Sequence, residues 1–192
     1  MEIGAGDCAM SIAAAKQVRA VFAVEVSKEI TSASTLPKNV TLVLSDGVSI
    51  PVAKSAVDVV YSNQLMEHLH PDDAKEQLEN IAGALRNGGK YVCITPNRLS
   101  GPHDVSRYFS KATQGFHLKE YAVHELAELF LKSGFSQVQT YIGGKGWYLP
   151  FPRWIIVAIE RRLEGLPHSL GRIIARTSLF RALLGVIIVG IK

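Results

Sequence analysis

The sequence predicts a doubly wound α/β fold with a mostly parallel sheet, and three observations carry that expectation. Short runs rich in β-branched or aromatic residues alternate with helical patterns over the first two thirds of the chain. Polar residues, glycine or proline bound each run, as they bound buried strands. The helical patterns between them are long enough to return the chain over the sheet, and such crossovers are right-handed. A chain of 192 residues has room for one ordinary domain, so residues 1–192 are expected to form a single one.

The strands are expected at 21–24, 40–44, 57–61 and 91–94, and the helices at 8–18, 72–85 and 120–132. Pro71 before Asp72 and Asp73 is an acidic helix start that suits the macrodipole. In the 120–132 segment, Tyr121, Leu126, Leu129 and Phe130 share helical spacing, and Gly134 is a stop signal. A further strand is expected over 135–142, and the β-branched end, 186–191, reads as another. The texture changes after Gly143-Gly144: 147–155 is dense in aromatic residues and proline, and two basic amphipathic stretches come after it at 153–163 and 168–183. Residues 145–183 therefore read as a basic helical insertion between two late strands.

Composition excludes several classes. Two cysteines, Cys8 and Cys93, provide neither a disulfide framework nor a four-ligand zinc site, and a reducing, cytoplasmic setting fits them. The longest apolar run, 182–191, is too short for a spanning helix, which needs about 20 residues. No secretory signal is visible at the start. Residues 145–192 hold 8 Lys+Arg against 2 Asp+Glu, whereas 1–144 hold 13 against 15, so the net charge of +4 belongs to the C-terminal quarter. That asymmetry points to a membrane surface or an anionic partner, with membrane association through 145–183, and is not by itself a nucleic-acid signature.

The chain opens on Glu2-Ile3-Gly4-Ala5-Gly6-Asp7-Cys8-Ala9. Closely spaced glycines between a strand and a helix let backbone N–H groups approach a ligand with no Cβ in the way. Glu25 closes the next strand and can accept two hydrogen bonds from ribose hydroxyls. Taken alone, Gly4-x-Gly6-x-x-Ala9 with a later acid fits a dinucleotide fingerprint almost as well. Residues farther along the chain break the tie: Ser45-Asp46-Gly47, Asp58 at the fourth strand, Ser62 through Leu69, the turn 85–90, and Thr95-Pro96-Asn97.

This succession resembles the class I S-adenosylmethionine-dependent methyltransferases over about residues 1–142. Within that class it looks most like the small-molecule group that includes quinone-biosynthesis O-methyltransferases, through Met66-Glu67-His68-Leu69, Thr95-Pro96-Asn97 and His117-Leu118-Lys119-Glu120-Tyr121. The resemblance implies a Rossmann-like, mostly parallel sheet with a late antiparallel strand, N-terminally truncated because Met1 already sits inside the first strand. It implies S-adenosylmethionine as cofactor and a small-molecule acceptor, with no nucleic acid.

The resemblance also distributes roles. Gly4 and Gly6 pass close to the methionyl and ribose portion, Glu2 lies near the amino-acid end, and Glu25 holds the ribose diol. Asp46 accepts from the adenine amino group with the Gly47 N–H beside it, and Ser62 and Asn63 line the pocket beneath the methyl donor. His68 and His117 are the candidate catalytic residues. In the quinone group a carboxylate stands three residues before the Glu-His pair and helps hold a divalent metal. Here that position is Gln64, a poorer ligand, so no metal is expected. Two other readings stay open: a non-catalytic methyltransferase-like scaffold, and a nicotinamide-binding oxidoreductase.

Overall fold

The computed structural model describes residues 1–31, 35–110, 113, 115–144 and 146–192; position 145, where the expected insertion begins, lies outside them. The strands are β1 (Glu2–Ile3), β2 (Val21–Glu25), β3 (Val40–Leu44), β4 (Val57–Asn63), β5 (Leu85–Thr95), β6 (Gln137–Gly144), β7 (Trp147–Phe151) and β8 (Val186–Ile191). They form one sheet in the order β3-β2-β1-β4-β5-β8-β6-β7. The first five run parallel; β8 lies antiparallel to both β5 and β6, and β7 antiparallel to β6. Because β6 opposes β8, it runs in the same direction as the first five, and the sheet is mostly parallel with two antiparallel late strands, β7 and β8, where one was expected.

The helices are α1 (Ala9–Ala15), α2 (Lys28–Thr31), α3 (Pro71–Ala84), α4 (Val123–Lys132), α5 (Arg153–Glu164), α6 (His168–Ala175) and α7 (Ser178–Leu184). Proline opens α3 with Asp72 and Asp73 behind it, as the sequence predicts. Helix α4 starts three residues later than expected, because Glu120 is buried as an acceptor for His117 Nδ1 and the His103 N–H, and Tyr121 forms a bridge with Asn97.

Two further differences have physical causes. Residues 147–151, expected in a helical insertion, pair with β6 instead. Pro150 is tolerated there because β7 is an edge strand. Gly143 is required opposite Tyr148, at φ 142°, since a Cβ would lie 2.2 Å from the Trp147 carbonyl oxygen. The 85–90 turn is drawn into β5: Val57 pairs with Leu85 but Val59 with Lys90, so the intervening residues bulge. The terminal Lys192 pins that bulge through backbone bonds to Gly88 and Gly89.

One face of the sheet packs on α3 and α4 through Val60, Leu78, Ile81, Leu126 and Ile188. Tyr91, Phe130 and Phe135 stack there with ring centroids 4.9–6.1 Å apart. A smaller cluster, Ala5, Cys8, Val21, Ala23 and Val40, packs against Ile12, Ala14 and Ala15. Beneath the two-residue β1, the first residues of β2 and β4 flank a cavity of about 310 Å³.

Candidate functional site

The carboxyl ends of β1 to β5 meet at one edge, where open α/β sheets bind ligands. The β1–α1 turn is left-handed at Gly4 (φ 71°) and Gly6 (φ 51°). A Cβ on Gly4 would press on Leu65 at 3.1 Å, whereas one on Gly6 would meet nothing within 4 Å. Gly4 is therefore small for packing, and Gly6 presents bare backbone to open space. Cys8 is also left-handed (φ 61°), an unfavourable region for a side chain, and is fully buried. Helix α1 consequently starts only at Ala9.

Glu25 faces this turn. Its Oε2 accepts the Gly6 N–H at 2.7 Å, and Oε1 accepts the Val26 and Ser27 N–H groups at 2.8 and 3.3 Å. At the end of β3, Asp46 Oδ1 accepts from the Val48 and Ser49 N–H groups and the Ser49 hydroxyl. The Ser49 hydroxyl, followed by these N–H groups, lowers the Asp46 pKa to about 2. The Gly47 N–H, expected to reach adenine, donates to Ser45 Oγ at 3.0 Å, while its carbonyl accepts from Gln77 Nε2 on α3. Asn63 is exposed at the end of β4.

Two expected contacts point elsewhere. Ser62 is fully buried with its hydroxyl 2.7 Å from Tyr91 Oη. Strand alternation sends Ser62 to the core face and Asn63 to the opposite one. Glu2 Oε2 accepts from Ser11 Oγ at 2.5 Å, and the residue, two positions before Gly4, borders the cavity at the starts of β2 and β4. Burial there raises the Glu2 pKa.

His68 and His117, far apart in sequence, meet edge to face with ring centroids 5.0 Å apart. His68 Nδ1 lies 3.0 Å from the Phe116 carbonyl oxygen, which only accepts, so Nδ1 carries a proton and, in the neutral ring, Nε2 holds the lone pair. His117 Nδ1 lies 2.7 Å from Glu120 Oε1 in the same sense. Beside them lies Glu67, fully buried, whose Oε2 accepts from Thr95 Oγ1 at 2.8 Å and whose Oε1 has no hydrogen-bond partner among the described residues. One ligand atom from each of Glu67, His68 and His117 falls within 4.8 Å of the others, close enough to share a cation or a water. Glu67 also holds the loop, its carbonyl accepting from the Leu118 and Lys119 N–H groups. Sequence reasoning leaves Glu67 and Glu120 out of the site. The available signal is a carboxylate in the apolar setting Leu65-Met66-Glu67, just past a strand end.

A model of the family described as "Methyltransferase domain" matches residues 1–93. No curated protein sequence matches. Among solved structures, a chain from the complex between the Haloferax volcanii Trm112 methyltransferase activator and a methyltransferase candidate superposes with TM-score 0.68 at 17% identity, covering 99% of this chain and 80% of that one. A SAM-dependent methyltransferase from Archaeoglobus fulgidus gives 0.63 at 16% identity, covering 100% and 84%. One from Mesorhizobium loti gives 0.60 at 14%, covering 98% and 87%. At such identities the likeness fixes the fold.

Proposed function

We propose that this chain, which has the class I S-adenosylmethionine-dependent methyltransferase fold and a methyltransferase domain matched over residues 1–93, transfers a methyl group from that cofactor to a small-molecule acceptor over the ends of β4 and β5. The observation that carries the reading is the Glu25 carboxylate set on the Gly6 N–H beside a stretch of backbone that a Cβ would leave unobstructed. Those residues suit a ribose and an amino-acid tail, so the site fits the cofactor of the family.

When bound, S-adenosylmethionine supplies an electrophilic methyl on a cationic sulfur. Glu25 would hold the ribose hydroxyls, Gly4 and Gly6 the close backbone approach, Asp46 the adenine amino group, and Asn63 the floor beneath the methyl. Alignment supplies much of the rate in such a transfer. In their neutral forms His68 and His117 hold a lone pair on Nε2 and can accept the proton of a hydroxyl or amine acceptor. Glu120 stabilises the resulting His117 cation. We take residues 1–192 as one domain.

Isothermal titration with S-adenosylmethionine tests the reading. Glu25→Ala is expected to weaken binding about tenfold or more, the equivalent of losing roughly 1.4 kcal/mol of charge-assisted hydrogen bonding. Equal affinity would remove the ribose assignment, and no binding by the unaltered chain would favour the scaffold reading.

The C-terminal layer supports contact with an anionic membrane. Trp147, Trp154, Ile173 and Leu179 are exposed large apolar residues, and Arg161, Arg162 and Arg181 are exposed on the same helices or neighbouring ones. Among the described residues no helix is long and apolar enough to cross a membrane. Co-sedimentation with phosphatidylglycerol vesicles should fall as salt rises; equal recovery in the supernatant at low and high salt would remove this contact.

A further inference from the structure

A cavity of about 620 Å³ lies between the 98–102 segment, the 118–120 segment and helices α5 and α6. We infer that it binds the anionic head and apolar body of an amphiphilic acceptor, a phosphate or carboxylate on a hydrocarbon, with Lys119 and Arg172 holding the anion. The inference deepens the proposed methyl transfer and rests on it for the ligand's role as acceptor; the binding itself needs no cofactor.

Charge inside the cavity is lopsided. Its acids are both engaged: Glu120 Oε1 with His117 Nδ1 and the His103 N–H, and Glu164 with Arg98 Nη2 at 2.6 Å. Lys119 and Arg172 also line it, and no carboxylate pairs with either among the described residues. Lys119 Nζ sits 4.8 Å from the centre of the Tyr121 ring, and Lys119 lines both this cavity and the neighbouring one that holds Tyr121, Glu125 and Glu128, so an anion in this cavity would have to draw the ammonium to its side. Arg172 further belongs to a crowd of like charge. Neighbouring Arg176 donates Nε to the Ser100 carbonyl oxygen, and burial, then Arg172, Arg181 and Arg107, lower its pKa. Cations that outnumber the acids around them repel one another and favour an anionic ligand.

The remaining walls are apolar: Leu99, Leu118, Leu163 and Leu166. A few charges set on an apolar lining recognise an amphiphile better than a bare ion. The cavity also touches the catalytic cluster, since its wall residue Glu120 holds His117, which stacks edge-on with His68. An acceptor lodged by its head between Lys119 and Arg172 would lay its body along the leucine wall, with Glu120 as the link from that wall to those two imidazoles.

Octyl phosphate below its micelle concentration is the probe, titrated into the full chain beside octanol and inorganic phosphate. Octyl phosphate is expected to bind at least tenfold more tightly than either, and Lys119→Gln and Arg172→Gln each to weaken it threefold or more. Glu25→Ala should leave octyl phosphate affinity unchanged while weakening S-adenosylmethionine, so failure of the cofactor reading and failure of this one are read separately. Displacement by phosphatidylglycerol vesicles would assign the head to a lipid, and persistence in their presence to a free amphiphile. Octyl phosphate binding no better than octanol, or unaltered in whichever of the two variants folds, overturns the inference.

Discussion

The glycine-turn crevice and the histidine–cavity side of the molecule are held together by opposite means. In the crevice most polar bonds are local: Asp46 to residues 48 and 49, Gly47 to Ser45, Glu25 to Val26 and Ser27. The Gly6–Glu25 bond spans 19 residues, and the side chains of Gln77 and Asn80 on α3 reach the crevice from farther away. Across the sheet the bonds are long: Asn97 to Glu160 spans 63 residues, Asn97 to the Leu184 carbonyl 87, Arg98 to Glu164 66, and Arg176 to Ser100 76. A site built from turns is prefigured by its own short segments. A site built from buried side chains exists only once the fold has closed.

The largest test of this contrast is Glu160→Ala. Glu160 is fully buried on α5, yet it accepts the Val123 and His124 N–H groups at the start of α4, His124 Nδ1, and Asn97 Nδ2. It thus caps a helix N-terminus from another helix, where a carboxylate is favoured. Removing it strands several buried donors, at a cost of about 3 kcal/mol or more. For a chain of this size that lowers Tm by roughly 6–12 °C, readable by calorimetry. Affinity of the folded protein for S-adenosylmethionine should change less than twofold. A parallel loss of affinity would mean that the two sides form one unit, and the comparison would break.

A smaller effect sharpens it. Arg98 pairs with Glu125 on α4 at 3.2 Å and with Glu164 on α5 at 2.6 Å, but its side chain is 42% exposed. Arg98→Gln should cost about 1 kcal/mol or less. The difference between the two proteins should shrink in 1 M salt, since exposed pairs are screened. A loss that salt does not touch would place this pair among the buried bonds instead.

Legibility in the sequence obeys the same division. The strands at 40–44 and 186–191 fall where the apolar runs put them, and Glu25 faces the glycine turn, because strand ends and glycine spacing are properties of short segments. Ser62 departs from its expected place for a reason of period: strand alternation puts it on the face opposite Asn63, where Tyr91 takes its hydroxyl. The segment 147–151 is a strand because β6 offers an open edge, a fact outside its own composition. Glu120 and Glu160 are invisible in the sequence as site or anchor residues, since a lone acid in a helical pattern reads as solvated until its long-range donors are known, whereas Glu67 carries the signal of an acid in an apolar setting past a strand end.

The smallest expected effect lies in the crevice and concerns pH. Hydrogen bonds from the Ser49 hydroxyl, then the Ser49 and Val48 N–H groups, hold the Asp46 pKa at about 2, below the usual value of 3.8. A carboxyl whose pKa is depressed in the folded state adds stability above its unfolded pKa and loses it as pH falls through the folded value. The contribution is therefore present near neutrality and fades between about pH 4 and pH 2. Because the side chain is exposed, the effect is small. In Asp46→Asn, the amide oxygen can keep the turn N–H groups but carries no charge, so the Tm gap between the two proteins should close as pH drops from 5 to 2. Keeping that oxygen on the turn leaves an NH₂ where Asp46 has Oδ2, a donor facing any adenine amino group placed there. S-adenosylmethionine affinity at pH 7 should accordingly fall several-fold even though Tm barely moves. Should affinity hold while Tm falls, Asp46 serves the turn alone, and adenine recognition belongs to other groups at the end of β3.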